Sequence, residues 1–437
     1  MSIFKKSKKE ENDPQLVELT DEASPQIKGQ TSPMVIGALI NGITGVGIWS
    51  ITQPIAQCGP LMSLIVICVI VTCYGYSAFV ETKYLRPHDQ TMLDEILVES
   101  YPKYKKLILI FTKVSAFLFI FGTDIDLYMY FSLVIKQQIF DRFHTTDGAH
   151  DYVYIVIPIV VVMLLGAIRN TKIFVTLSGL SMVGSVLSMI CIMAEGGLSV
   201  SSADWQCWKD AWHKPLGVGL FSVSQKKGWG AVFSFSGVMA MVCVSQNFAH
   251  EPCGQAKKPE HNGRNMVIVY MCVFLMYFII WICSGPRYAC NYNEAPSLYL
   301  SAINPMHWWY GIITQWAYGM ECFLSLPLFL AVSRQCSCDL YNFKSKKWHY
   351  FWHNVVNGIL VAIMSALTVK NVSLQLILMV AGLVATLFWM IALPFGMHLM
   401  AIHRTKRFKW DVWVCGLLSL IAGSAMIIQF CLPLPSS

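Results

Sequence analysis

Long apolar segments recur along almost the whole chain, and they constrain the fold more than any other feature. An α-helix needs about 20 apolar residues to cross the roughly 30 Å of hydrocarbon in a bilayer. Runs of this kind follow one another from Pro33 to Leu432, in a chain that is 55% hydrophobic and 13% charged. The predicted spans cover about 33–57, 60–81, 107–137, 152–168, 173–195, 229–249, 265–286, 307–333, 352–369, 373–400 and 411–432. We therefore expect an all-α integral membrane protein with eleven transmembrane helices.

Positive charge is distributed unevenly over the loops between these spans. With the N-terminus in the cytoplasm, most of the 32 Lys and Arg residues lie on the cytoplasmic side, as the positive-inside rule requires. The odd number of spans then places the C-terminus outside, in the extracellular or lumenal space of a plasma membrane or endomembrane. Topology accounts for the net charge of +7, so membrane lipid rather than nucleic acid is the expected partner. We expect residues 1–32 to form a disordered cytoplasmic tail before a single transmembrane domain, 33–437; the sequence leaves its oligomeric state open.

Two of the spans carry residues that favour an interruption in mid-membrane. Span 1 contains Gly42, Gly45 and Gly47, and each glycine costs about 1 kcal/mol in a helix interior. Such a cluster either packs closely against another helix or lets the chain unwind. Span 6 contains Ser234 and Ser236 at the matching position of the second half. Two interrupted helices, each the first of a five-span half, are typical of transporters with an inverted repeat, and this second segment favours unwinding.

A five-span offset inverts the second half relative to the first. We expect repeat one at about 33–195, repeat two at about 229–400 and an extra helix at about 411–432. At the breaks, half-helix N-termini would face a negative group and unwound carbonyls a positive one. A zwitterion fits such a site.

Four short strings, in order along the chain, resemble the amino acid/auxin permease family. They are Asn41-Gly-Ile-Thr-Gly-Val-Gly-Ile48 followed by Gly59, Phe233-Ser-Phe235, Phe274-Leu-Met-Tyr277, and Ser325-Leu-Pro327 followed by Arg334. Within the family the strings are most similar to the sodium-coupled neutral amino acid transporters. The resemblance covers about Met34 to Leu432. It implies a five-plus-five inverted repeat with an eleventh span, and secondary active transport of amino acids by alternating access.

The resemblance also implies roles for individual residues. The backbone of Thr44, Gly45, Val46 and Gly47 would receive the substrate carboxylate, and carbonyls at Phe233, Ser234, Phe235 and Ser236 its ammonium group. Asn41 and Ser325 would belong to a sodium site. Val238 stands where many members have a polar residue, which leaves the identity of the amino acid open.

Ionisable residues inside the spans are a second source of candidates, because charge is costly in a bilayer. Asp124 and Asp126 are two residues apart and so lie on nearly opposite helix faces. We expect Asp124 to point into the substrate site together with Tyr128; the alternative is that both aspartates are hydrated near the outer end of span 3. Glu321, one turn before Ser325, must be protonated, paired or bound to a cation. Glu321 and Asp124 are therefore the candidates for proton coupling, should the ion be a proton rather than sodium.

Cysteine distribution predicts one disulfide. Of the 15 cysteines, Cys207 and Cys290 are the two that lie well inside predicted external loops. An oxidising compartment would favour a bridge between them.

Other classes of function fit less well. No nucleophile–base pair, His–carboxylate cluster or catalytic string lies at one depth of the bilayer, so we do not expect an enzyme, nor any cofactor beyond a coupling ion. The alternative to a carrier is a sensor that binds an amino acid in the same pocket without transporting it.

Overall fold

The structure is a computed structural model that describes the chain in several stretches. They are residues 30–44, 50–82, 98, 102–141, 153–166, 181–191, 193–194, 200–213, 228–245, 249–254, 256–288, 309–338, 346–370 and 377. Within these stretches the chain is helical apart from turns and one isolated bridge, in which Gln30 pairs with Ala256. The described part is therefore all-α.

Twelve helices are described here, numbered in chain order. They are α1 (Ser32–Thr44), α2 (Thr52–Cys58), α3 (Pro60–Thr82), α4 (Lys105–Ile135), α5 (Val153–Gly166), α6 (Ser181–Cys191), α7 (Ser202–His213), α8 (Gly228–Val242), α9 (His250–Gly254), α10 (Asn262–Arg287), α11 (Trp309–Cys338) and α12 (Lys346–Val369). A π-helical turn, Lys136–Asp141, extends α4, and the 3-10 turns Pro102–Tyr104 and Pro259–His261 precede α4 and α10.

The helices follow the predicted spans in order. Span 1 consists of α1 and α2 and span 6 of α8 and α9, whereas spans 2, 3, 4, 5, 7, 8 and 9 are α3, α4, α5, α6, α10, α11 and α12. Four described stretches are long and apolar enough to cross a membrane: Pro60–Phe79, Pro102–Ile139, Pro259–Arg287 and Phe351–Val369. Apart from residue 377, spans 10 and 11 lie outside the described residues, so the number eleven stays a prediction.

Several hydroxyl side chains in these apolar helices bond to their own backbone. Each of them donates to the carbonyl four residues earlier, which removes an unsatisfied polar group from the hydrocarbon region. Examples are Thr112 to Ile108, Ser132 to Tyr128, Ser284 to Ile280 and Ser365 to Val361.

A tight turn joins α2 to α3. Gly59 has φ 80°, a left-handed conformation that glycine adopts without steric cost. Pro60 follows at the first position of α3, where its missing N–H is not needed. Spans 1 and 2 therefore meet at a sharply defined corner.

Extensive contacts between the numbered helices fall into two groups. The first, called the bundle, contains α1, α2, α3, α8 and α10, with α7 and α9 packed against it. The second, called the scaffold, contains α4, α5, α11 and α12. The bundle therefore holds predicted spans 1, 2, 6 and 7, and the scaffold holds spans 3, 4, 8 and 9.

Within both groups, helices five spans apart lie side by side and run in opposite directions. In each pair, residue numbers fall along one helix as they rise along the other. The pairs are α3 with α10 (Ser63 with Trp281, Gly75 with Tyr270, Phe79 with Gly263), α4 with α11 (Asp124 with Ser333, Phe131 with Phe323, Val134 with Gly319) and α5 with α12 (Ile155 with Ser365 through the Tyr128 hydroxyl, Met163 with Asn357).

Helix α6 contacts both groups. A Cβ atom placed on Gly184 would lie 2.6 Å from the Ala317 carbonyl oxygen of α11, and one placed on Gly37 of α1 would lie 3.2 Å from Met182 Sδ. Span 5 therefore packs between the scaffold and the first half of span 1.

Candidate functional site

Span 1 is interrupted before α2. Helix α1 is described as far as Thr44, and α2 begins at Thr52 after a turn at Ser50 and Ile51. The Thr44 hydroxyl donates to the Ile40 carbonyl oxygen at 2.8 Å and is buried. Residues 45–49, which include Gly45, Val46 and Gly47, lie outside the described residues. The helix boundaries agree with the predicted break, and the carboxylate-binding role of those residues stays a prediction.

Span 6 is also interrupted, but the position predicted from sequence is wrong. Phe233, Ser234, Phe235 and Ser236 lie inside α8, which continues to Val242. Phe235 is fully buried, and the Ser236 hydroxyl donates to the Val232 carbonyl oxygen at 2.9 Å as in other apolar helices here. The backbone carbonyls of this segment are therefore inside a helix and are not presented to a substrate as an unwound segment would present them.

The break begins one to two turns later, after Val242, and tyrosines of span 7 explain its position. Tyr277 Oη donates to the Val242 carbonyl oxygen at 2.7 Å, and Tyr270 Oη donates to the Cys243 carbonyl oxygen at 2.7 Å. Residues Val244 and Ser245 are not helical, and a helix resumes with α9 at His250. Side chains of α10 thus satisfy carbonyls at the end of α8, which a local reading of span 6 cannot reveal.

Close to the end of α1, three polar side chains from three helices meet. Asn41 Nδ2 of α1 donates to Ser325 Oγ of α11 at 3.1 Å. Ser181 Oγ of α6 lies 3.4 Å from the same Ser325 hydroxyl. All three residues are buried. The structure brings together the two residues named for the sodium site, adds Ser181, and joins the bundle to the scaffold at this point.

The donor set at this cluster suits a hard cation. The Asn41 amide oxygen and the two hydroxyl oxygens are neutral oxygen ligands, the kind that sodium binds without a full protein charge. Within the described stretches, no group of three or more His, Cys, Asp or Glu side chains is arranged to hold a metal ion.

Asp124 and Tyr128 share a helix face, as predicted, but that face is turned into the scaffold. Ser333 Oγ donates to Asp124 Oδ2 at 2.5 Å. The Tyr128 hydroxyl bonds to the Ile155 carbonyl oxygen at 3.2 Å and to Ser365 Oγ at 2.9 Å. These three bonds are with α5, α11 and α12. Residues 45–49 and 246–248, at the two helix breaks, lie outside the described residues, so a role of Asp124 and Tyr128 in the substrate site stays a prediction.

The alternative expectation, that the two aspartates are hydrated, is wrong. Asp124 is 0% exposed and Asp126 is 1% exposed. Arg334 interacts electrostatically with Asp124, and Asp126 interacts electrostatically with Cys322. Opposite faces of a helix can both be buried when helices surround it, and α4 packs against α5, α11 and α12.

Glu321 occupies a position between α4, α6 and α11. Glu321 is 3% exposed, and the Ser185 side chain of α6 lies beside it. Tyr130 and Tyr318 are close enough to interact with it electrostatically. Its Oε2 atom has no hydrogen-bond partner among the described residues. A charged carboxylate in such surroundings is costly, so Glu321 remains a candidate for binding a proton.

Sequence analysis did not assign a role to three residues of these polar contacts: Ser181, Tyr270 and Arg334. No local motif distinguishes Ser181 or Tyr270. One signal was available for Tyr270, because it lies seven residues before Tyr277, a spacing that places both hydroxyls on one face of a helix. Arg334, noted only as part of a string, is fully buried and donates from a guanidinium nitrogen to the Gly166 carbonyl oxygen at the end of α5.

Helix α7 packs against α3 and against α10 near Gly285. Trp208 meets Trp281 edge-on, with ring centroids 5.4 Å apart, and lies directly over Gly285. Cys207, next to Trp208, is disulfide-bonded. Cys290 lies outside the described residues, so the predicted pairing of Cys207 with Cys290 stays a prediction.

Comparison with known proteins agrees with this geometry. The crystal structure of MhsT in complex with L-phenylalanine has a TM-score of 0.57 to this chain, covers 91% of this chain and 97% of MhsT, and is 15% identical in sequence. At that identity the likeness concerns the fold, which is a transporter fold of the LeuT type. None of the curated proteins matches significantly. The family model described as transmembrane amino acid transporter protein matches residues 28–429. Because this match covers most of the sequence, the chain belongs to the transmembrane amino acid transporter family.

Proposed function

We propose that this protein is a sodium-coupled amino acid symporter that works by alternating access, with the substrate bound at the breaks in spans 1 and 6. As a member of a transporter family it is not an enzyme. The N-terminus would be cytoplasmic, and the C-terminus extracellular or lumenal.

The observation that carries the sodium assignment is the hydrogen bond between Asn41 and Ser325. This bond connects α1, the first half of span 1, with span 8. The Ser325 hydroxyl also lies 3.4 Å from Ser181 Oγ. A sodium ion bound there would contact both the bundle and the scaffold. Its binding would therefore bias the relative position of the two groups, which is what coupling of an ion to transport requires.

The helix ends at the breaks support an amino acid as the substrate. Helices α1 and α8 both end at buried residues, Thr44 and Val242. The C-terminal end of a helix carries partial negative charge, so these ends favour the substrate ammonium group and the cation. Residues 45–49, between α1 and α2, would receive the carboxylate. MhsT, of similar fold, was crystallised with L-phenylalanine, and an amino acid at the matching place is the simplest proposal here.

The antiparallel helix pairs support a five-plus-five inverted repeat. Spans 2 and 7, 3 and 8, and 4 and 9 each form a pair with opposite directions. A pseudo-two-fold axis in the membrane plane would relate the members of each pair. Under this proposal, alternating access is a movement of the bundle against the scaffold.

The test is uptake into proteoliposomes that contain the purified protein, first with a panel of radiolabelled acidic, basic, small neutral and aromatic amino acids. We expect saturable uptake and counterflow of at least one of them, and loss of uptake when external sodium is replaced by choline. Ser325→Ala should raise the sodium concentration for half-maximal uptake about three- to tenfold, since one ligand and one hydrogen bond are lost. Specific binding without counterflow would instead indicate a sensor.

Proton coupling is the second candidate, and buried Glu321 favours it. In that case uptake would be indifferent to sodium, would be driven by an inward proton gradient, and would be lost in Glu321→Gln. Asp124→Asn tests the other candidate for proton coupling, which is equally buried but bonds to Ser333: loss of proton-driven uptake in Asp124→Asn but not in Glu321→Gln would assign the proton to Asp124. Sodium dependence that persists in Glu321→Gln would exclude this candidate.

A further inference from the structure

The break in span 6 leaves backbone carbonyls that a continuous helix would satisfy. In an α-helix each carbonyl accepts from the N–H four residues later. Helix α8 ends at Val242, and the carbonyls of Val242 and Cys243 accept instead from the hydroxyls of Tyr277 and Tyr270, both at 2.7 Å. Span 7 thus supplies the two donors at the end of this half-helix.

These bonds are made away from solvent. Tyr277 is 0% exposed and Tyr270 is 5% exposed, and Val242 and Cys243 are buried too. A buried carbonyl without a donor costs about 1–3 kcal/mol in proteins, so without the hydroxyls the broken form of span 6 would lose much of its advantage over a continuous helix.

Tyr270 also fixes the residue after the turn. The Tyr270 hydroxyl has one hydrogen, which it donates to the Cys243 carbonyl oxygen. In the 3.0 Å hydrogen bond between Tyr270 Oη and Ser245 Oγ, Ser245 is therefore the donor. Through two side chains, α10 therefore determines the positions of Val242, Cys243 and Ser245.

We infer that Tyr270 and Tyr277 are positioning residues that hold the span 6 break in its binding geometry before the substrate arrives. This inference rests on the proposed function for its consequence in transport. A carbonyl oxygen has two lone pairs. The Val242 and Cys243 oxygens can therefore accept one hydrogen bond from a tyrosine hydroxyl and a second one from a substrate ammonium group. A preorganised acceptor lowers the ordering cost of binding.

The test uses Tyr277→Phe, Tyr270→Phe and the double variant, which remove only hydroxyl groups. Tyr130→Phe is the matched control, because Tyr130 is equally buried but belongs to α4 and packs edge-on against Tyr318. The transport probe is the radiolabelled amino acid with the fastest uptake in the panel above. We expect each single variant to raise the KM for the amino acid about three- to tenfold. The maximal rate per folded protein should stay within about twofold of the wild-type rate. At saturating amino acid, the sodium concentration for half-maximal uptake should not change. A merely structural role would lower the amount of folded protein and leave KM as in the control.

Hydrogen–deuterium exchange separates this inference from the proposed function. Peptides covering Val242–Ser245 should exchange faster in Tyr277→Phe and Tyr270→Phe than in the wild type, and should be unchanged in Tyr130→Phe. If no amino acid is transported, the proposed function fails, while this exchange result still decides whether the tyrosines hold the break. Unchanged exchange at Val242–Ser245 in the double variant would overturn the inference, as would an unchanged KM in a transporting protein.

Discussion

At the scale of single residues, glycines mark where the helices approach most closely. A Cβ on Gly184 would lie 2.6 Å from a backbone oxygen of Ala317, and a Cβ on Gly285 would overlap the Trp208 ring. A backbone atom cannot move aside as the end of a side chain can. Small residues at such contacts allow helices to pack in a membrane without a hydrophobic driving force between them.

Gly184→Ala should therefore destabilise the protein by about 1–3 kcal/mol, because α6 must move away from α11. Gly358→Ala is the control, since its added Cβ would meet Met163 Cε at an ordinary 3.9 Å and alanine is the better helix former. The measurement is the thermal unfolding midpoint of detergent-solubilised protein, which should fall for Gly184→Ala and stay level or rise for Gly358→Ala. Equal midpoints for the two variants would contradict the close packing of α6 on α11.

At the scale of helices, buried polar contacts determine how the scaffold is joined. The Ser333 hydroxyl bonds to Asp124 of α4, and the neighbouring Arg334 bonds to the Gly166 carbonyl at the end of α5. Two consecutive residues of α11 thus bind two other helices. Arg334 also supplies positive charge close to the buried Asp124 carboxylate, which reduces the cost of burying it.

Arg334→Met should destabilise the protein by about 3–5 kcal/mol, because it leaves a buried carboxylate without its positive neighbour. Asp124→Asn added to Arg334→Met should recover part of this loss. The two single variants and the double variant form a double-mutant cycle, measured by thermal or denaturant unfolding. Strict additivity would show that Asp124 and Arg334 do not interact.

At the scale of the whole molecule, the membrane helices form two groups, and α7 packs against one of them, the bundle. Trp208 of α7 packs against Trp281, whose Nε1 atom donates to Ser63 Oγ at 2.9 Å and to the Pro60 carbonyl oxygen at 3.2 Å. This chain of contacts links α7 to spans 2 and 7. A disulfide from Cys207 to the loop after span 7 would reinforce the same connection.

Mass mapping of a non-reduced digest should find peptides containing Cys207 and Cys290 joined together, and reduction should separate them. The membrane-embedded Cys243 and Cys322, both free and buried, are the internal control and should be recovered as thiols. Recovery of Cys207 and Cys290 as free thiols from protein purified without reductant would rule the pairing out.

The sequence by itself determined the helical membrane architecture of the described part, the family and the interruption of span 1, because these depend on properties that act locally. Apolar length favours a spanning helix wherever it occurs, and clustered glycines weaken a helix at their own position. The pairing of Asn41 with Ser325 could be anticipated only from the family resemblance, since 284 positions separate them.

Only the tertiary structure decided where span 6 breaks and where Asp124 and Tyr128 point. The break after Val242 depends on hydroxyls from Tyr277 and Tyr270, which are 35 and 27 positions from the carbonyls they bind. Ser236 weakens the helix less than expected, because in an apolar environment a serine hydroxyl can bond to its own helix, as Ser236 does to the Val232 carbonyl oxygen. A helix surrounded by neighbours has no single inward face, so spacing along α4 could not distinguish a substrate site from contacts within the scaffold.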